Sequence, residues 1–173
     1  SGSGKSTLLK LLLGLYPIDQ GEITLYGQNI KEYDLWDLRR QFSYLPQMPT
    51  LMNDTVMENV RMAEPKATKQ CVQEALVKAH VTDVGRDDKG AQRQLGEGGR
   101  ALSGGQRQRV ALARCYLRDA PIYLMDEMTA ALDATLERAI AEELMADPHR
   151  TVIMVTHKEE LATLAGRVIH IGM

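Results

Sequence analysis

The chain has 173 residues, about one domain with room for a subdomain, and a chain of that size buries roughly 70% of its unfolded surface without disulfide or metal staples. Hydrophobic residues make up 44% and charged residues 25%, which excludes a disordered, collagen-like or disulfide-scaffold protein. Lysine and arginine (21) nearly balance aspartate and glutamate (23), so the net charge of −2 argues against a broad polyanion-binding surface and leaves a local anion site open.

The chain opens on Ser1 rather than Met, already inside a glycine-rich motif, which predicts a segment of something longer. Ser1-Gly2-Ser3-Gly4 leads into residues 5–13, whose five leucines predict a helix buried on most sides, stopped by Gly14 with Pro17 just beyond. Residues 22–26 alternate as a half-buried strand between Gly21 and Gly27. Asp34 can cap a short helix running to Arg40, and residues 42–45 read as a strand ended by Pro46. Thr55 with Glu58 is a capping-box pattern that opens a helix. From Ala67 onward, Cys71, Val72, Ala75, Leu76 and Ala79 recur at helical spacing. Residues 83–99 are polar, hold five glycines and read as loop. Ser103 with Gln106 forms a second capping box, followed by Val110, Ala111, Ala113 and Leu117 on a long helix. Residues 50–118 therefore read as a mostly helical insert.

Residues 122–125 are a short apolar run ending in Asp126-Glu127, and a helix with Leu136, Ile140 and Leu144 on one face follows. A strand at 151–155, a short helix from Lys158 and a strand at 168–171 complete the chain. Strands alternating with helices predict a parallel α/β sheet with right-handed crossovers and function at the strands' carboxyl ends. The densest apolar stretch, residues 8–18, is broken by Lys10 and Pro17 and falls short of the ~20 residues of a membrane span. Cys71 and Cys115 match neither CxxC nor zinc spacing, as two ordinary thiols in a reducing compartment would.

Gly2-Ser3-Gly4-Lys5-Ser6-Thr7 supplies the last part of the phosphate-loop pattern GxxxxGK[ST], whose first glycine would precede Ser1. Glycines let successive backbone N–H groups turn toward one anion, and the following helix aims its partially positive N-terminus at the same place. Lys5 adds a full charge for β- and γ-phosphates, and the Ser6 hydroxyl can ligate Mg²⁺. The apolar strand before Asp126 would carry that carboxylate to the sheet's edge, where it can hold Mg²⁺ through water. Glu127 faces differently and can take a proton from attacking water.

Leu102-Ser103-Gly104-Gly105-Gln106, continued by Arg107 to Arg114, resembles the signature helix of ATP-binding cassette (ABC) ATPases. Met125-Asp126-Glu127 with Ala131-Leu132-Asp133 resembles that family's Walker B and D-loop segment. Gln47 after Tyr44-Leu45-Pro46 is similar to its Q-loop, and Thr156-His157 to its switch histidine. The motifs follow the family's order and span residues 1–157. The resemblance implies a P-loop NTPase fold, with residues 1–49 and 119–173 as a RecA-like α/β core whose N-terminal strands are missing, and residues 50–118 as a helical subdomain. It implies ATP as substrate, Mg²⁺ on Ser6, Gln47 and Asp126, catalysis by Glu127, His157 and Gln47, and nucleotide contacts from Ser1 to Thr7 and from Gln47 and His157. Ser103 reads as an N-cap, yet the glycines after it leave N–H groups bare at a second helix N-terminus. In the family that second site serves the partner cassette, which implies that Ser103, Gly104, Gly105, Gln106 and Asp133 act in trans across a dimer. His80, His149 and His170 receive no role.

Met128 stands where the family commonly has Pro and Ala130 where it has Ser, which bears on coupling between paired sites more than on hydrolysis. Gly96-Glu97-Gly98-Gly99-Arg100 resembles the exporter loop that touches transmembrane coupling helices, with Gly99 departing from the usual pattern. Residues 34–40, 44–52 and 55–59 fit the exporter branch as well. An exporter cassette implies membrane helices, fused before Ser1 or on a separate chain, at the cytoplasmic face of the cell membrane, and no nucleic-acid partner. Rival readings are an importer subunit and a soluble ABC ATPase acting on nucleic acid or the ribosome, though no coiled-coil insertion or second cassette is seen. A kinase would have no use for residues 102–106, and a non-hydrolysing cassette would be expected to lose Glu127 or His157.

Overall fold

The computed structural model describes residues 4–81, 88–128 and 133–171. Helix α1 (Lys5–Leu12) starts from Gly4, and its Leu9 and the following Leu13 are buried while Leu8 is 41% exposed. The helix is thus buried along one stripe rather than on most sides. Residues four apart share a face, and the Leu9–Leu13 stripe packs into the cluster of Ile30, Leu38, Phe42, Ile122, Leu124 and Val155, with half-buried Leu12 beside it. The strand predicted at 22–26 is shorter, because Tyr26 and Gly27 take left-handed φ values of 53° and 82° and turn the chain at once. That two-residue turn joins β1 (Thr24–Leu25) to β2 (Gln28–Asn29) in an antiparallel pair.

Helix α2 (Leu35–Arg40) follows, with Asp34 accepting a 2.8 Å hydrogen bond from the Trp36 N–H, and leads into β3 (Phe42–Leu45). Helices α3 (Val56–Arg61), α4 (Lys69–Lys78), α5 (Asp88–Ala91) and α6 (Gly104–Arg118) come next. The stretch read as loop over 83–99 holds α5 and a 3₁₀ turn, Glu97–Gly99, within its described part. Thr55 caps α3 through its hydroxyl, but Glu58 pairs with Arg61 instead of returning to Thr55, whose N–H bonds Asp54; the expected box is half formed. The Ser103–Gln106 box is complete, with both reciprocal bonds in place at 2.9 and 3.2 Å.

After α6 come β4 (Ile122–Asp126), α7 (Ala134–Ala146), β5 (Thr151–Val155) and α8 (Glu159–Ala162). The three longer strands form one parallel sheet in the order β3-β4-β5. Central β4 is buried along its whole length, and its alternation divides the core. Ile122 and Leu124 face the α1 side, while Tyr123 and Met125 join the larger cluster formed by α3, α4, α6 and α7. The strand expected at 168–171 does not form: the segment makes no ladder and Ile169 is 68% exposed. Apolar, β-branched residues favour a strand only where an unpaired neighbour accepts them.

Two ties bind α6 to the segment after β3. The Gln108 amide donates to the Pro46 carbonyl at 3.3 Å. Arg114 forks onto the Thr50 carbonyl at 2.8 Å, the Asn59 carbonyl at 2.8 Å and Asn59 Oδ1 at 2.7 Å. Buried Asn59 also donates to the Thr55 carbonyl at 2.9 Å, a bond shut off from water.

Gly99, the departure in the exporter-like loop, has a local cause. Its φ is +71°, and a Cβ there would lie 2.9 Å from Leu51 Cδ1 and 3.1 Å from Leu51 Cβ. Gly99→Ala is therefore expected to cost about 1–3 kcal/mol, from left-handed strain and overpacking together. A urea denaturation midpoint unchanged from the parent would show that the Leu51 contact relaxes freely.

Candidate functional site

Parallel pairing sends the carboxyl ends of β3, β4 and β5 to one edge, and the chain places a polar residue just past each. Gln47 follows β3, Glu127 follows β4 and His157 follows β5. The Gln47 Nε2 donates to Glu127 Oε2 at 2.5 Å, and His157 Nε2 lies 2.6 Å from Glu127 Oε1. Both carboxylate oxygens of Glu127 are thus engaged, one by each neighbouring strand end. The Glu127 backbone extends the ladder by donating to the Val155 carbonyl at 3.1 Å, yet its φ is +46°. A left-handed non-glycine residue costs on the order of 1–3 kcal/mol and persists only where the surroundings over-determine it. That twist aims Glu127 along the edge, where Gln47 and His157 meet it.

Asp126, 3% exposed, is the last residue of β4 and faces α1. Ser6 in the first turn of α1 donates its hydroxyl to Asp126 Oδ1 at 2.8 Å, joining residues far apart in sequence. Tyr44 donates its hydroxyl to Asp126 Oδ2 at 3.3 Å. Burial, with Asp126 beside it, pushes the Tyr44 hydroxyl up to about 12, so it remains a donor at neutral pH. In the sequence Tyr44 stands out only as part of a motif; the available signal is its alternation with Phe42, which puts both on the α1-facing side of β3.

Gly4, with φ of 79°, caps α1, and Lys5 stands beside Ser6 in the same first turn. Thr7 is exposed. Ser1, Gly2 and Ser3 lie outside the described residues, as do Ala130 and, from the D-loop match, Ala131 and Leu132. Ser103 and Asp133 each cap their own helix, Asp133 by accepting from the Leu136 N–H at 2.9 Å, and neither bond reaches Glu127. Gly104 and Gly105 open α6 behind Ser103, and Gln106 completes its box. Met128, the other departure, is fully buried in the larger core cluster.

One pair has no counterpart among the sequence motifs. Glu137 on α7 is 1% exposed, and its Oε2 accepts from Lys158, the residue after His157. Glu137 shares the α7 face of Ile140 and Leu144, and a charge on an otherwise apolar stripe is the signal that could have found it.

The Ser6 hydroxyl, the Asp126 carboxylate and the Gln47 amide oxygen are hard oxygen donors of the kind a small divalent cation takes. No group of three or more His, Cys, Asp or Glu side chains forms a metal cage among the described residues. One buried carboxylate beside a hydroxyl fits an ion that phosphate oxygens help to hold. No described helix is long and apolar enough to cross a membrane.

Known proteins resemble this chain in sequence and in fold. A family model described as ABC transporter matches residues 1–130. The chain is 43% identical over 171 residues to an ATP-dependent lipid A-core flippase 1 of Colwellia psychrerythraea, covering 98% of this chain and 28% of that protein. It is 40% identical over 172 residues to the ATP-dependent lipid A-core flippase of Escherichia coli K12, covering 98% of this chain and 30% of that one. Among solved structures, a bacterial Atm1-family ABC exporter with ATP bound matches with a TM-score of 0.87 and 38% identity, over 96% of this chain and 29% of that chain. This chain therefore spans under a third of the length of these relatives. A family match over residues 1–130 and a shared α/β fold leave one assignment: the chain belongs to the ABC transporter family.

Proposed function

We propose that the chain binds and hydrolyses ATP as the nucleotide-binding domain of an ABC exporter. The observation that carries this reading is the Glu127 carboxylate held between Gln47 and His157, one residue from the Asp126–Ser6 pair. Glu127 takes the proton of the attacking water, which needs one of its oxygens. The His157 side chain, 52% exposed, is the partner free to swing from Glu127 toward a γ-phosphate. Lys5 and the glycine-rich turn before it bind the phosphates, and Gln47 keeps its contact with the Glu127 carboxylate. Bound through Ser6, Gln47 and Asp126, Mg²⁺ would neutralise charge on the phosphates.

Residues 1–49 and 119–173 form the nucleotide core in this reading, and residues 50–118 the helical part that presents Ser103. Ser103, Gly104, Gly105, Gln106 and Asp133 serve the nucleotide of a second nucleotide-binding domain, identical or different. The names of the matching relatives, flippases and an exporter, support export over import. Transmembrane helices, fused or separate, belong to the protein outside these residues, and the domain works at the cytoplasmic face of the membrane without a nucleic-acid partner. A lipid cargo is the class that the flippase relatives suggest.

Glu127→Gln in the full-length protein is expected to slow ATP turnover by ~10²–10⁴ with ATP binding retained, the usual worth of a general base. Turnover at the parental rate would remove Glu127 from that role. Ser103→Arg should abolish ATP-dependent closure of two domains, followed by fluorescence energy transfer between labels on exposed Cys71. Transfer equal to the parent's would overturn the in-trans arrangement.

A further inference from the structure

We propose that Tyr44 is a positioning residue for Asp126, fixing the carboxylate plane so that one oxygen stays turned toward Ser6 and the divalent-cation site. This rests on the ATPase reading above and goes beyond it. By alternation, Phe42 and Tyr44 on β3 and Ile122, Leu124 and Asp126 on β4 all face α1, so three hydroxyl or carboxylate groups converge there. A buried carboxylate on a strand end can still turn about its Cβ–Cγ bond, tilting its plane away from the hydroxyls that face it. Ser6 holds Oδ1 at 2.8 Å and Tyr44 holds Oδ2 at 3.3 Å. The two donors come from different elements, α1 and β3, so neither can follow the carboxylate as it turns. With both in place, the carboxylate plane is fixed, one oxygen toward Ser6 and the other toward Tyr44. The Ser6 hydroxyl can donate to Oδ1 and still offer a lone pair to a cation, whereas the Tyr44 hydroxyl, on the far oxygen, does not compete for that ion.

The aromatic ring of Tyr44 packs with the apolar cluster of Leu9, Phe42 and Leu124, so Tyr44→Phe keeps the packing and removes only the donor. The full-length Tyr44→Phe protein is titrated with Mg²⁺ at a fixed concentration of a fluorescent, non-hydrolysable ATP analogue, with binding read by fluorescence. The half-saturating Mg²⁺ concentration should rise about threefold to tenfold, the scale of one hydrogen bond to a charged group weakened by its 3.3 Å length. Analogue affinity in EDTA should stay within twofold of the parent, and kcat at saturating Mg²⁺ should recover to within about threefold. Tyr44→Leu, which loses the same donor with a different shape, should show the same Mg²⁺ shift. A Mg²⁺ requirement unmoved in both variants overturns the inference, as does a fall in kcat that saturating Mg²⁺ does not restore. A parent protein that binds no analogue with or without Mg²⁺ overturns the ATPase reading and this inference with it. Normal Mg²⁺-dependent binding in the parent separates that failure from a failure of Tyr44 alone.

Discussion

Because β3, β4 and β5 run parallel and in register, their carboxyl ends must emerge along one edge, and no loop has to be long to bring them together. Gln47, Glu127 and His157 need only one or two residues beyond their strands to meet. Antiparallel pairing of the same strands would send alternate ends to opposite edges and scatter these groups. The left-handed backbone at Glu127 makes the same point locally. A strand ending in two acids would by alternation send them to opposite faces, and the twist aims the second along the edge instead.

Asp126 pulls in a different direction. Removing a carboxylate from water costs several kcal/mol, and hydrogen bonds to a charged group return about 1.5–3 kcal/mol each. Two hydroxyl donors therefore leave the residue roughly balanced at best, a poor arrangement for a structural position and a reasonable one for a cation site. The packing agrees: everything else on the α1 face of β4 is apolar, and the polar atoms gather at the end where phosphates would enter.

Motifs whose chemistry depends on neighbours along the chain are legible in the sequence itself. Asp34, Thr55 and Ser103 cap helices, residues 42–45 and 151–155 are strands, and the order of the phosphate loop, signature and acidic strand end points to the ABC family. Features that depend on what stands opposite are not. Five leucines near α1 cannot say that only Leu9 and Leu13 end up buried, and apolar residues 168–171 cannot say that no strand receives them. The short 88–91 helix is hidden by glycine and polarity in a stretch that reads as loop. Tyr44 and the Glu137–Lys158 pair escape notice because each acts across a distance in the chain that periodicity does not see.

The two ties from α6 to the segment after β3 have a mechanical meaning. Gln108 holds the carbonyl just before Gln47 and Arg114 holds one three residues after it, at points about 9 Å apart along the helix axis. A single tie would be a pivot about which the segment could swing. Two separated ties make a bracket, which removes the swing about either tie alone and transmits displacement along the helix. A pull on Gln47 is therefore shared with a rod of fifteen residues whose far tip carries Ser103, so the two ends of α6 move as one rigid piece.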